Sequence, residues 1–189
     1  MSKRSCVGAE TNRGTGRIRR LVLVLFLLLA AWWAASHREA RTGDRLSSFV
    51  ERVTDGDTIV VRVNGVRQRV RLLGLDTPET VKANTPVQFY GPEASAFTKR
   101  ELAGRQVWLE YDAEVLDRYR RQLAYVWTTR PPDVVDEAAV RRDMFNARLL
   151  LGGYARIMNI KPNTRYAELF AKFEAEARRA KRGLWARER

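Results

Sequence analysis

The chain has 189 residues, a formal charge of +13, one histidine (His37) and one cysteine (Cys6), and this length suits one domain with an appendage. Both residues precede position 38, so histidine acid–base chemistry, thiol catalysis, disulfides and a cysteine-held zinc are closed to everything after it. The excess of basic side chains suits a polyanionic partner.

Residues 1–20 form a basic leader, with Lys3, Arg4, Arg13, Arg17, Arg19 and Arg20 against Glu10. Residues 21–35, LVLVLFLLLAAWWAA, carry no charge. As a helix this segment would span about 22 Å, short of the roughly 30 Å hydrocarbon core of a bilayer. It reads as a secretory hydrophobic segment or a signal anchor, and either would export the remainder of the chain. The basic leader puts the N-terminus in the cytoplasm. Ala34-Ala35-Ser36 offers a cleavage site, whereas the long leader and the interface-seeking Trp32-Trp33 pair favour retention. Residues 36–48 read as a polar linker, and residues 49–189 as the domain itself. That domain holds 26 Lys and Arg against 19 Asp and Glu, a net +7.

Residues 55–79, DGDTIVVRVNGVRQRVRLLGLDTPE, gather four carboxylates and a string of arginines into two alternating runs joined by Asn64-Gly65. Ile59, Val61 and Val63 alternate with Thr58, Val60 and Arg62, and Val66, Gln68, Val70 and Leu72 alternate with Arg67, Arg69 and Arg71. Asn-Gly is the favoured two-residue hairpin loop because both residues tolerate positive φ. Pairing across it sets Thr58, not Asp57, opposite Arg71, so a shared site for Asp57 and Arg71 requires a bend near Gly56. Asp57 and Asp76 offer hard oxygens which, with a backbone carbonyl or two and water, suit calcium better than magnesium. The plain alternative makes DGD a polar turn and DTPE a strand end with an Asx-type cap.

Residues 81–90 lack periodicity and read as a loop at the mouth of a site. A helix is expected over residues 92–103, with proline early, Glu93 in the first turn and Gly104 as the stop. Val107, Leu109 and Tyr111 alternate as a strand, residues 112–121 read as a charged loop, and residues 122–128 as another strand. Arg118, Arg120 and Arg121 around Tyr119 offer a phosphate bidentate hydrogen bonds beside an aromatic face.

Residues 129–140, with Pro131-Pro132, read as an extended surface excursion. A helix over residues 141–151 stops at Gly152-Gly153, and residues 154–160 return toward the sheet. Asn163 or Thr164 is expected to cap a last helix carrying Tyr166, Leu169, Phe170, Phe173, Ala177 and Ala180. Gly183 followed by Leu184-Trp185 fits its end.

DGDT, RLLGLDTPET, YGPEASAFTK and DRYRRQLAYV, in this order and spacing, resemble the staphylococcal nuclease (thermonuclease) family over roughly residues 49–185. The resemblance implies an α+β fold: a five-stranded OB-type barrel with about three helices, here preceded by one N-terminal hydrophobic helix. It also implies a calcium-dependent phosphodiesterase acting on DNA or RNA through a monomeric catalytic domain. In that family's terms Asp57, Asp76 and the Thr77 carbonyl hold the metal, while Glu79 activates water. Arg71 and Arg121 clamp the phosphate, Arg118 and Tyr119 hold the substrate's terminal phosphate region, and the products end in 3′-phosphates. Two departures stand out. Arg120 replaces a common glycine, and Met158 and Ile160 replace two base-stacking tyrosines before Lys161-Pro162-Asn163, so weaker base stacking is expected. The domain would lie outside the cytoplasm, membrane-anchored through residues 21–35 or secreted after cleavage. The alternatives from other classes are a non-catalytic OB-type nucleic-acid-binding module and a membrane-anchored protein-interaction domain.

Overall fold

The computed structural model describes residues 24–25, 27–29, 45–80 and 86–187, and the chain divides into two units, residues 1–39 and 40–189. In the first unit, residues 24–25 and 27–29 are helical and exposed. No helix of the described residues is long and apolar enough to cross a membrane; the leader, the linker up to residue 44 and most of the 21–35 segment lie outside them.

In the second unit five strands close a barrel in the order β1 (Arg45–Asp55), β2 (Thr58–Val63), β3 (Val66–Leu72), β6 (Gln122–Trp127) and β5 (Gln106–Leu116). Strands β3 and β6 run parallel, and the other barrel pairs antiparallel. The interior is filled by the apolar set of the alternating runs, including Ile59, Val61, Val70, Leu72 and Leu109, while Tyr125 and Trp127 on the outer face of β6 pack against Tyr166. Beside the barrel, β4 (Leu75–Asp76) pairs with β7 (Arg156–Ile157).

Asn64 and Gly65 take φ values of 48° and 81°, as the expected hairpin requires, and Thr58 stands opposite Arg71. The bend near Gly56 is a turn: β1 ends at Asp55 and β2 starts at Thr58, with a register shift between Val53 and Asp55. Strand β1 reaches back into residues expected as linker: residues 45–48 pair with residues 107–110 of β5 and build the seam that closes the barrel. Strand β5 likewise runs on to Leu116, through residues expected in a loop. Its charged Asp112 is buried yet satisfied, accepting hydrogen bonds from the Tyr125 hydroxyl and the Arg165 N–H.

Helix α1 (Gly91–Leu102) matches expectation within a residue. The helix expected over residues 141–151 is two, α2 (Glu137–Asp143) and α3 (Phe145–Leu151). Asp136 caps α2 by accepting the Ala139 N–H, which pulls its start into the expected excursion. Extended backbone at Met144, which bridges to Trp127, separates the pair. Helix α4 (Ala167–Arg179) has no side-chain cap. Asn163 is committed elsewhere, accepting the Glu114 N–H and donating to the Glu114 carbonyl. Among the described residues of this unit there are four α-helices, where about three were expected. A closing 3-10 turn (Gly183–Arg187) buries Trp185, with the guanidinium groups of Arg178 and Arg156 4.0 and 4.4 Å from its ring centre.

Candidate functional site

A cleft of about 590 Å³ opens where β1, β2, β3 and β4 meet the turn between β5 and β6. Gly56 lets the first wall approach the second: a Cβ there would stand 2.7 Å from the Thr77 hydroxyl. The Thr98 hydroxyl on α1 donates to the Gly56 carbonyl at 2.6 Å and holds the turn from behind. The Leu72 N–H donates to the Asp57 carbonyl, carrying the β2–β3 ladder past its last strand pair.

These constraints bring Asp57 to the floor of the cleft, where it is 6% exposed. Its Oδ2 accepts from the Thr77 N–H and hydroxyl at 3.0 and 3.1 Å, and its Oδ1 from the Thr58 hydroxyl. Arg71, 5% exposed, reaches two acids at once: Nη1 lies 2.6 Å from Asp57 Oδ2, and Nη2 donates to Asp76 Oδ1 at 2.6 Å. A buried guanidinium needs such partners, since an unpaired charge here would carry its full desolvation cost.

Burial pushes the Asp76 carboxyl above its ordinary value, with Asp57 and Glu79 adding to the shift and Arg71 opposing it. The Asp55 carboxyl is also raised, chiefly by burial. The Thr80 hydroxyl and Gly56 N–H stabilise its charge, whereas a hydrogen-bonding contact with Glu79 and the charge of Asp57 act the other way. Glu79 is thus near enough to disfavour the charge of Asp55. Glu79 is fixed through its backbone: its N–H donates to the Gln88 side chain, and its carbonyl accepts the Gln88 N–H, both at 3.0 Å.

On the β5–β6 turn, Asp117 organises the basic residues. It accepts the N–H groups of Tyr119 and Arg121 on Oδ1 and the Arg121 guanidinium on Oδ2 at 2.6 Å. Tyr119 is 62% exposed, and the guanidinium groups of Arg118 and Arg121 lie 4.8 and 5.4 Å from its ring centre. Arg120 takes a φ of 60°, the left-handed conformation that glycine adopts at least cost.

Asp57, Asp76, Thr77, Glu79, Arg71, Arg121 and Tyr119 all line this one cleft, as do Met158 and Ile160. Arg118 does not line it and reaches it only through Tyr119. Thr77 faces Asp57 through its N–H and hydroxyl. Among the described residues no group of three or more His, Cys, Asp or Glu side chains is placed to hold a metal ion. The donors that do face one cation, Asp57 and Asp76 around Arg71, are hard oxygens of the kind calcium takes. Sequence reasoning missed Arg69, Thr54 and Gln88 in the lining. Arg69 had a signal, since it shares a strand face with Arg71; Gln88, in an aperiodic loop, had none.

The family profile described as staphylococcal nuclease homologue matches residues 69–187. The thermonuclease of Staphylococcus hyicus is 46% identical over 137 residues, covering 72% of this chain and 74% of that protein. The thermonuclease of Staphylococcus intermedius is 45% identical over 141 residues, covering 75% and 77%. Endonuclease YncB of Bacillus subtilis (strain 168) is 39% identical over 140 residues, covering 73% and 61%.

Proposed function

Since the chain belongs to the staphylococcal nuclease homologue family and is a nuclease, a phosphodiester hydrolase, we propose that it is calcium-dependent, cleaves DNA or RNA in this cleft and leaves 3′-phosphate ends. The observation that carries the reading is Arg71 gripped by Asp57 and Asp76 in a cleft that also holds Glu79 and Arg121. Calcium, held by Asp57, Asp76 and Thr77, would supply charge neutralisation at a non-bridging phosphate oxygen.

The protein's own groups do the rest. Glu79 orients the attacking water and takes its proton. The guanidinium groups of Arg71 and Arg121 donate to the phosphate oxygens as charge gathers in the five-coordinate transition state. Water adds to phosphorus opposite the 5′-oxygen, the P–O5′ bond breaks, and that oxygen leaves as a hydroxyl after taking up a proton. No protein group is esterified, so the configuration at phosphorus inverts. Met158 and Ile160 offer the base an apolar wall in place of aromatic rings, which lowers stacking energy by roughly 1–3 kcal/mol per base and loosens base preference.

All of these residues come from one chain, which supports a monomeric catalytic domain. The basic leader and the uncharged 21–35 run support a domain outside the cytoplasm, held at the membrane or released by cleavage. The test is hydrolysis of single-stranded DNA by the full chain before and after chelation. Activity should vanish with the chelator and return with calcium, and the new ends should carry 3′-phosphate. Hydrolysis that persists in the chelator would sink the calcium assignment.

A further inference from the structure

One face of β3 presents Arg71, Arg69 and Arg67, each two residues and so about 6.6–6.8 Å from the next. That step is comparable with the spacing of successive phosphates in an extended single strand. The three arginines are not equivalent. Arg71 is buried and held by two acids. Arg67 shares Glu51 with Arg62, so its charge is offset in part. Arg69 lines the cleft, is exposed, and has no ion pair or hydrogen bond among the described residues.

The sheet gives Arg69 company. Across β2 the register sets Arg69 opposite Val60, and Val60 opposite Arg52, an exposed residue likewise without an ion pair among the described residues. On the other side the parallel register pairs Val70 with Gln122, so one further step brings Arg69 beside Arg121. Unpaired arginine charge thus continues from the cleft onto the outer face of the barrel, where fold stability does not call for it. Free guanidinium groups at the rim of an anion site are suited to phosphate, which they bind through bidentate hydrogen bonds.

We propose that Arg69, supported by Arg52, forms a subsite for a non-scissile phosphate of the polynucleotide, one nucleotide from the phosphate held at Arg71. The proposal rests on the nuclease reading of the cleft. It makes the enzyme favour a strand that continues past the cleaved bond over a substrate with a single phosphodiester.

The experiment compares the full chain with Arg69→Gln and Arg69→Lys on a single-stranded oligonucleotide of about a dozen residues and on a dinucleotide. Binding of the oligonucleotide is also followed by fluorescence anisotropy in chelator, across a salt series. Arg69→Gln should raise KM for the oligonucleotide several-fold more than for the dinucleotide and reduce the salt slope of log K by about 0.7, the increment of one phosphate contact on a single strand. Arg69→Lys should keep most of both. Equal losses on the two substrates would place Arg69 on the scissile phosphate, and an unchanged salt slope would remove it from phosphate binding; either overturns the subsite. A parent that binds but never cuts would defeat the nuclease reading alone, with the anisotropy series still deciding on Arg69.

Discussion

Arg71 Nη1 sits 2.6 Å from Asp57 Oδ2, with the two side chains only 5% and 9% exposed. The contact lacks the alignment of a hydrogen bond, leaving Nη1 without such a partner. A buried charge with donor capacity to spare is placed to meet an anion, and the expected effects of substitution stem from that.

Truncating either cleft arginine should slow hydrolysis by about 10²–10⁴-fold, the scale of losing a charge-stabilising donor. Arg121→Ala is the cleaner variant, because its side chain is 23% exposed and pairs with a single acid. Arg71→Ala also leaves Asp57 without its cation, so Arg71→Lys, which keeps the charge but not the planar fork, accompanies it. Rates are compared on single-stranded DNA after circular dichroism has verified the fold. Parent-like rates in Arg121→Ala and Arg71→Lys would take both residues out of the reaction.

Arg120 is held at a φ of 60° by a turn in which its N–H donates to the Asp117 carbonyl. The left-handed conformation costs a side-chain-bearing residue roughly 1–2 kcal/mol, offset in part by the greater unfolded-state freedom of glycine. Arg120→Gly should therefore raise stability by about 0.5–1 kcal/mol, a gain of about 1–4 °C in Tm for a domain of this size. A thermal melt that shifts downward would show that the Arg120 side chain contributes more than its backbone strain costs.

The Asp117 carboxyl responds to acid in a defined direction. Burial works against its charge, but the N–H and guanidinium of Arg121 and the N–H of Tyr119 outweigh that and hold it below its ordinary value. A depressed carboxyl contributes stability that is fully present above its unfolded pKa of about 3.9 and is lost as pH falls through the lower folded value. Asp117→Asn never has this contribution. The Tm gap between parent and variant should be widest near neutrality and close below about pH 4; a gap of constant size down to strong acid would contradict the assignment.

Trp185 anchors the chain's end, 1% exposed and flanked by Arg156 and Arg178. Trp185→Ala should cost about 3–5 kcal/mol, a large share of a typical domain's stability. Urea unfolding measures this directly, and a loss under about 1 kcal/mol would mean the 3-10 turn is not coupled to the fold.

Local chemistry made the β2–β3 hairpin readable: Asn64-Gly65 fixes the turn, alternation fixes the faces, and together they set Thr58 against Arg71 before any coordinates exist. The family resemblance also grouped Asp57, Asp76, Glu79, Arg71 and Arg121, and all five line the one cleft. What escaped depended on distant partners. Asp112 is strand because Tyr125 and Arg165 satisfy it. Met144 breaks a helix because Trp127 bridges to it. Asn163 fails as a cap because Glu114, 49 residues away, claims its side chain. Arg69 was visible in the alternation, but that it has no acid among the described residues could be seen only once Glu51 was found on Arg62 and Arg67.

The seam between β1 and β5 also governs how the domain can be trimmed. Leu46, Ser47 and Ser48 stand in antiparallel register opposite Leu109, Trp108 and Val107, so a fragment starting at Arg45 retains a shut cylinder. One starting at Phe49 would strip most of that ladder and bare a β5 edge ready to recruit strands from other molecules. Recombinant boundaries must therefore fall upstream of Arg45 to release a well-behaved particle.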